Sequence, residues 1–538
     1  MTSASMIVDR KTQRYDRQLR LWGDHGQAAL ESARVCLING SATGTEILKN
    51  LVLPGIGSFT VIDSEKVSGA DVGNNFFLDA DSIGQSRARV VTELLQELNT
   101  DVSGNFVEEP LQSLLDNDVE FFRPFTLMIA TQLSSKMLAR VSEVCVKLGI
   151  PFLAVRSYGL IGYLRLQIGE HCVIESHPDS PMDDLRLDRP FPELLSYLQQ
   201  IDFNTQDGFQ HAHIPFLAIL LKHLLEWKAS HGGLPPKTSK DKDEFRAEIQ
   251  RARRIKEDGS RAEEENHDEA ITHATKAWHV SSIPSEISAL FADSNVDNLT
   301  ATSSPFWIMV RSLRDFVMAE GEGLLPLRGS IPDMAADSDR YIRLQHVYQE
   351  RAKHDVAAFT AHVHRHLAEL GLPLGTISDD DAKTFCRNAP FLRVIRARPI
   401  SDELASATSK LTDTLNFHLE DPDSSVAFYV LLRAVDLFFE EHGRFPGAGD
   451  DQVEEDIAPL KQYVVGLLTD LGVSQHAIKE ELIHEMCRFG AAELHNIASI
   501  LGGLASQEAV KVITRQYIPF NNTFLFNGIT STSSTVEL

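Results

Sequence analysis

The chain has 538 residues, 43% hydrophobic and 24% charged, enough apolar material for large buried cores and more than one domain. A formal net charge of −25 at pH 7 repels phosphate backbones, which argues against nucleic acid and favours basic protein surfaces as partners. No window reaches the roughly eighteen uninterrupted apolar residues of a membrane span, and the opening MTSASMIVDRKTQRYDRQ has no apolar signal core. Five scattered cysteines without a C-x-x-C pair suit a reducing compartment, so a cytoplasmic or nuclear protein away from membranes is expected.

The first 170 residues alternate short β-branched runs with helical patterns, the signature of a parallel sheet covered by helices. Strands are expected at residues 34–39 (RVCLIN), 58–63 (SFTVID), 126–130 (TLMIA) and 151–155 (PFLAV), with helices over 45–53, 86–99 and 134–148. Beyond about residue 170, past Pro181, Pro190 and Pro192, long helical patterns take over as far as about residue 485. Within them the highly charged stretch 234–270, broken at Gly259-Ser260, reads as a solvated helix and a mobile loop. A small-residue apolar helix at 497–514 and a strand at 522–527 (NTFLFN) close the chain. A strand needs a sheet to join, so the last segment is assigned to the N-terminal sheet. This gives a mixed, mostly parallel Rossmann-like α/β fold interrupted by a large all-helical insertion, divided as 1–170, 171–485 and 486–538.

The first strand runs into Asn39-Gly40-Ser41-Ala42-Thr43-Gly44 and then a helix, the context in which a glycine-rich turn presents a helix N-terminus to phosphate. The glycines are poor for that purpose, because a side chain where backbone must touch pyrophosphate takes the ligand's space. Asp63 ends the second strand, where a carboxylate can bind ribose hydroxyls or cap the strand end.

Together, RYDRQLRLWG with Arg17-Gln18, the strand and glycine loop, EILKNL at 46–51, VID at 61–63 and the terminal LGGLASQEAVKVIT resemble the adenylation domain of ubiquitin-activating enzymes. The resemblance implies a loop of the form G-x-G-G-x-G, of which Asn39, Ser41 and Ala42 replace three glycines and Gly44 keeps the fourth. It also implies an Asn-Arg-Gln segment, here Gly73-Asn74-Asn75, and a magnesium-holding aspartate after a later strand, absent from residues 129–140 (IATQLSSKMLAR). These losses imply a retained fold with a disabled site, one that binds no cofactor and has no catalytic residue of its own.

The family pattern gives Arg17 a role outside its own subunit, reaching the ATP phosphates bound with magnesium by a catalytic adenylating partner. The alternative is a surface arginine paired with Asp16 or Asp24. In the implied reaction a ubiquitin-like modifier's C-terminal carboxylate attacks the α-phosphate of ATP, pyrophosphate leaves, and a partner thiol takes the acyl group. Guanidinium suits the charge that moves there. Of this chain's cysteines only Cys172, between His171 and His177, merits testing as a nucleophile.

The segment Pro332, Asp333, Met334, Asp337, Tyr341, Leu344 and Gln345 resembles the P-D-M then Y-x-x-L-Q signature of the family's catalytic-cysteine region, an interface by resemblance and ordinary helix packing by spacing. No metal site is expected. His362, His364 and His366 include an i, i+4 pair but read as an exposed polar face, and His211 and His213 are isolated. An insertion of about three hundred residues resembles the regulatory-subunit branch serving neddylation rather than the shorter one serving sumoylation. A nucleotide-dependent oxidoreductase and a free-standing scaffold are the other classes weighed.

Overall fold

The computed structural model of the protein describes residues 10–179, 183–449 and 451–538, so Pro181 lies outside the described residues. Among the described residues ten strands are defined. Eight of them, β1 (Arg34–Ile38), β2 (Ser58–Ile62), β3 (Ser103–Val107), β4 (Leu127–Thr131), β5 (Phe152–Tyr158), β6 (Ile161–Gln167), β9 (Thr523–Asn527) and β10 (Thr532–Val536), form one sheet in the order β10-β9-β6-β5-β4-β1-β2-β3. The five strands from β3 to β5 are parallel, while β6, β9 and β10 add antiparallel. β7 (His171–Val173) and β8 (Arg393–Ile395) form a separate two-stranded ribbon.

The central parallel strands β1, β4 and β5 are largely apolar, as burial on both faces requires, and β4 and β5 have no exposed position, whereas β3 at the sheet edge (SGNFV) is mostly unburied. The helix α1 (Arg10–Ser32) precedes β1, and the crossovers supply α2 (Ala42–Val52), α3 (Gly69–Asn74), α4 (Arg87–Glu97), α5 (Leu111–Asn117) and α6 (Ser135–Leu148). One core holds Leu37, Ile47, Val61, Val91 and Leu164 with Leu501 and Ala505 of the returning helix His495–Thr514. That helix approaches α2 so closely that a Cβ on Gly502 would lie 2.6 Å from the Cβ of Glu46. A second core, with Ile38, Met128, Phe152 and Val141, joins α6 to the sheet.

The chain packs into two compact units, the described residues up to Val173 together with Val394–Leu538, and Ile174–Arg393. The first boundary falls close to residue 170. The second lies nearly a hundred residues before 486, because the helices between Ile400 and Phe489 pack within the first unit. Tyr158, Ile161, Leu525 and Val536 share a core there with Leu415, Val430 and Met486. Arg165 of β6 is fully buried and donates from Nη2 to Glu403 Oε2 at 2.6 Å, an internal ion pair that anchors the helix Ile400–Ala405. Helical periodicity alone does not reveal which unit an amphipathic helix covers.

The second unit is helical, with a core of Phe216, Leu220, Trp227, Phe245, Leu344 and Tyr348. The charged stretch 234–270 is not merely solvated: Phe245 and Ile249 of the helix Ser239–Arg251 are buried, as are Glu264, Asn266 and His267. Among the described residues no helix is long and apolar enough to cross a membrane.

Candidate functional site

At the carboxyl end of β1 the chain turns sharply into α2. Asn39 adopts φ 68°, the left-handed region that asparagine tolerates better than most side chains, and its Nδ2 donates to Thr131 O at 2.7 Å. Asparagine can therefore hold the turn at modest conformational cost, and its amide fills the space there. Gly44 is kept for packing, since a Cβ there would sit 2.6 Å from the Asn39 carbonyl oxygen. Ser41 is the N-cap, its hydroxyl accepting from Gly44 N at 3.3 Å.

The free N–H groups of this helix terminus face a carboxylate from the same chain. Glu493, in the turn before the returning helix, accepts from Thr43 N at 2.7 Å, Ala42 N at 3.3 Å and Ser41 Oγ at 3.0 Å. Its backbone is held from two sides. Asn74 Nδ2 donates to Glu493 O at 3.0 Å, and Gly159 N donates to Ala492 O at 2.7 Å.

Asp63 is 3% exposed and equally committed. Oδ2 accepts from Arg87 Nε at 2.6 Å and Gly40 N at 2.8 Å, and Oδ1 accepts from Glu65 N at 2.9 Å. Burial disfavours the Arg87 charge, yet Asp63 and Asp71 together hold its pKa above the usual arginine value. Of the two roles open to Asp63, the geometry matches the strand-end cap, because no lone pair is left facing a ribose.

After β4, Gln132 occupies the stretch without an acid, pairing with Ser157 through Nε2 to O at 2.8 Å and N to Oε1 at 3.0 Å. The start of α6 also receives an internal carboxylate: Asp436 accepts from Ser135 N at 2.9 Å and from Arg156 Nη1 at 2.6 Å. These residues do not fit ATP and magnesium. Arg17 differs from all of them. It is exposed on α1, and among the described residues it makes no hydrogen bond or ion pair; Asp16, its candidate partner, pairs instead with Arg20 at 2.9 Å.

Residues 15–538 match the model of the ThiF family. The chain belongs to the ThiF family. It is 50% identical over 528 residues to a Gallus gallus protein described as NEDD8-activating enzyme E1 regulatory subunit, covering 98% of each chain. Proteins with the same description from Drosophila melanogaster and Saccharomyces cerevisiae are 40% and 26% identical, covering 98% of this chain and 98% and 100% of theirs.

In this ThiF-family chain the segment Gly73-Asn74-Asn75 serves the fold. Asn75 Oδ1 accepts from Thr45 Oγ1 and Phe77 N, and Asn74 binds the Glu493 turn. Cys172 makes a poor nucleophile. Burial and then Glu170 push its thiol up to about 12, and its Sγ lies 3.8 Å from Glu170 Oε1. Neighbouring His171 is buried and pushed down to about 4 by burial and by Arg515, so it stays neutral rather than stabilising a thiolate.

Three expectations about the helical unit need correction. His362 and His366 are not an exposed face; both are buried, and separate carboxylates engage them, Glu320 at 2.8 Å and Asp315 at 2.8 Å. His211 is not isolated, since Glu264 and His267 lie beside it and all three are buried. The His211 and His267 rings stack with an interplanar angle of 9° and centroids 5.2 Å apart. A metal must lie in the plane of each imidazole it binds, and two stacked parallel planes share no such point. The group is a buried hydrogen-bonded cluster, with Glu264 Oε1 2.7 Å from His211 Nδ1.

The third concerns Leu344, placed at a partner interface by resemblance and in ordinary helix packing by spacing; the packing alternative matches the structure. Leu344 is 0% exposed within its own unit's core, so it has no surface to offer. Asp337 caps the helix Ser338–Glu369, accepting from Arg340 N at 2.9 Å. Pro332, Met334, Tyr341 and Gln345 are half-buried, Asp333 is exposed, and Tyr341 Oη donates to Asp333 Oδ1 at 3.4 Å. Sequence reasoning missed Glu493, Asp436 and Arg87, whose partners lie up to 452 positions away and carry no local signal.

Proposed function

We propose that this chain is the non-adenylating regulatory subunit of a two-subunit enzyme that activates a ubiquitin-like modifier of the NEDD8 type, working in the cytoplasm or nucleus. The observation that carries this reading is the contrast between a retained family fold and a loop whose phosphate-facing groups are taken up by the chain's own carboxylates. Near-full-length similarity to proteins described as regulatory subunits supports it.

In this reading the chain binds no nucleotide and pairs with a catalytic adenylating subunit, which holds ATP and magnesium and forms the modifier adenylate and thioester. This chain supplies Arg17, whose forked guanidinium offsets charge on the partner's ATP phosphates. Exposed apolar side chains on the same unit are available for assembly. Leu21, one turn beyond Arg17, is 55% exposed, and on the returning helix Ile500 and Leu504 are 40% and 37% exposed one turn apart. The raised Cys172 thiol supports leaving thioester chemistry to the partner.

ATP–pyrophosphate exchange with the modifier present tests the reading. The chain alone should give background exchange and no modifier thioester, and adding the catalytic subunit should restore both. Exchange by the purified chain alone, or a modifier thioester on Cys172, would overturn it.

A further inference from the structure

The α2 terminus belongs to a helix eleven residues long and offers what an oxyanion requires: two convergent backbone N–H groups, a serine hydroxyl and the positive end of the helix dipole. In this chain Glu493 brings two carboxylate oxygens to those donors. Buried polar atoms without partners lie beside the same turn. Thr43 is 0% exposed, yet its Oγ1 has no hydrogen-bond partner, and the neighbouring Asn75 Nδ2 is buried without one.

The turn that delivers Glu493 is fixed rather than incidental. Gly490 and Ala491 both adopt positive φ, 54° and 63°, the second costly for a residue with a Cβ. His495 Nδ1 then donates to Asn74 O at 3.1 Å, closing the other side. The same device recurs at α6, whose first N–H is met by Asp436 from the same C-terminal portion of the chain. Two helices that start at the carboxyl end of the parallel sheet therefore both receive internal carboxylates, at the edge where open α/β sheets bind ligands.

We infer that the N-terminus of α2 is an oxyanion seat filled in cis by the Glu493 carboxylate, which acts as a resident phosphate mimic and closes the loop to nucleotide. The lost loop glycines are then only half of the disabling; the other half is an occupant. The inference goes beyond the assignment as a regulatory subunit, and its test needs no catalytic partner, so failure here leaves that assignment standing.

Glu493→Ala should vacate the seat while Ala42 N, Thr43 N and Ser41 Oγ stay in place. Thermal unfolding of the full chain would be followed in sodium phosphate, sodium formate and sodium chloride at matched ionic strength. Wild type sets each salt's general effect on stability, and the variants are compared with it in the same salt. Glu493→Ala should melt roughly 2–4 °C lower in chloride and recover at least half of that loss, saturably, in phosphate or formate. Glu493→Gln, which still fills the space but lacks the charge, should melt lower without an oxyanion response.

An unchanged melting temperature for Glu493→Ala overturns the inference. So does a fall that neither anion repairs, or an equal response from Glu493→Gln, which would place the anion elsewhere. If Glu493→Ala does not fold in chloride, recovery of soluble protein only in phosphate or formate supports the seat, and failure in all three buffers overturns it.

Discussion

Arg17 and the loop at residues 39–44 belong to one unit and, by resemblance, to one reaction, yet their surroundings are opposite. The carboxylates and helix-terminal N–H groups around the loop are already paired with one another. Asp63 is shared by Arg87, Gly40 and Glu65, and the α2 terminus holds Glu493. Arg17 is exposed with no hydrogen bond or ion pair among the described residues, and an exposed Leu21 follows one turn later. Binding free energy needs unspent polar groups, because a group already paired must break one contact to make another. The difference teaches that the charge left available on this unit lies at Arg17 and not at the loop.

The largest expected effect attacks the closed side. Asp63→Ala would leave the mostly buried Arg87 with Asp71 alone and strip Gly40 N of its acceptor. Breaking such a pair should cost about 3–5 kcal/mol of stability, read as a lower denaturant midpoint with unchanged slope. A loss below about 1 kcal/mol would mean the carboxylate is less committed than its contacts imply.

The same contrast between spent and unspent residues exists inside the helical unit. Leu344→Ala should cost about 2–5 kcal/mol, as a cavity in a packed core does. Tyr341→Ala, three positions earlier and half-buried, should cost about 1 kcal/mol or less and still be free to weaken assembly. Similar losses for the two would erase the distinction between core and surface on this helix.

On the open side, Arg17→Ala should slow adenylate formation by the assembled enzyme about ten- to a thousandfold, roughly 1.4–4 kcal/mol of transition-state stabilisation. The subunit's melting temperature should not move, because no intramolecular contact is lost. Arg17→Lys should recover part of the rate, keeping the charge without the fork. Wild-type pyrophosphate exchange by Arg17→Ala, below and above the Michaelis constant for ATP, would assign the arginine to the surface.

Acid should separate the two units as well. Burial pushes His171 and His223 down to about 4 and His267 to about 3, so all three fold neutral. Unfolded histidine titrates near 6.5, so their contribution is complete above about pH 6.5 and is lost as pH falls toward their folded values. Two of the three lie in the helical unit, which should loosen first between pH 6.5 and 4. Hydrogen exchange that opens both units together on acidification would contradict this.

What the sequence reveals follows the range of the interactions involved. Strands β1, β2, β4 and β5 were legible because burial on both faces forces continuous apolar runs such as RVCLI. β10 was not, since TSSTV is polar with four of five positions unburied and is a strand only because β9 pairs with it. Missing glycines at Asn39, Ser41 and Ala42 are local facts and were readable. What replaced the ligand was not, because Glu493 meets the loop across some 450 positions, and nothing in AAELH points to α2. For Leu344 spacing left interface and core both open, because helical periodicity fixes a face but not what covers it.

The central claim is that one subunit's nucleotide site is shut and serves no ATP, while its arginine acts next door. Counting nucleotide in the assembled enzyme tests it most directly. Equilibrium dialysis with a non-hydrolysable ATP analogue and magnesium should give one bound nucleotide per heterodimer and none on this chain alone. Two per heterodimer, or saturable binding to the isolated chain, would contradict it.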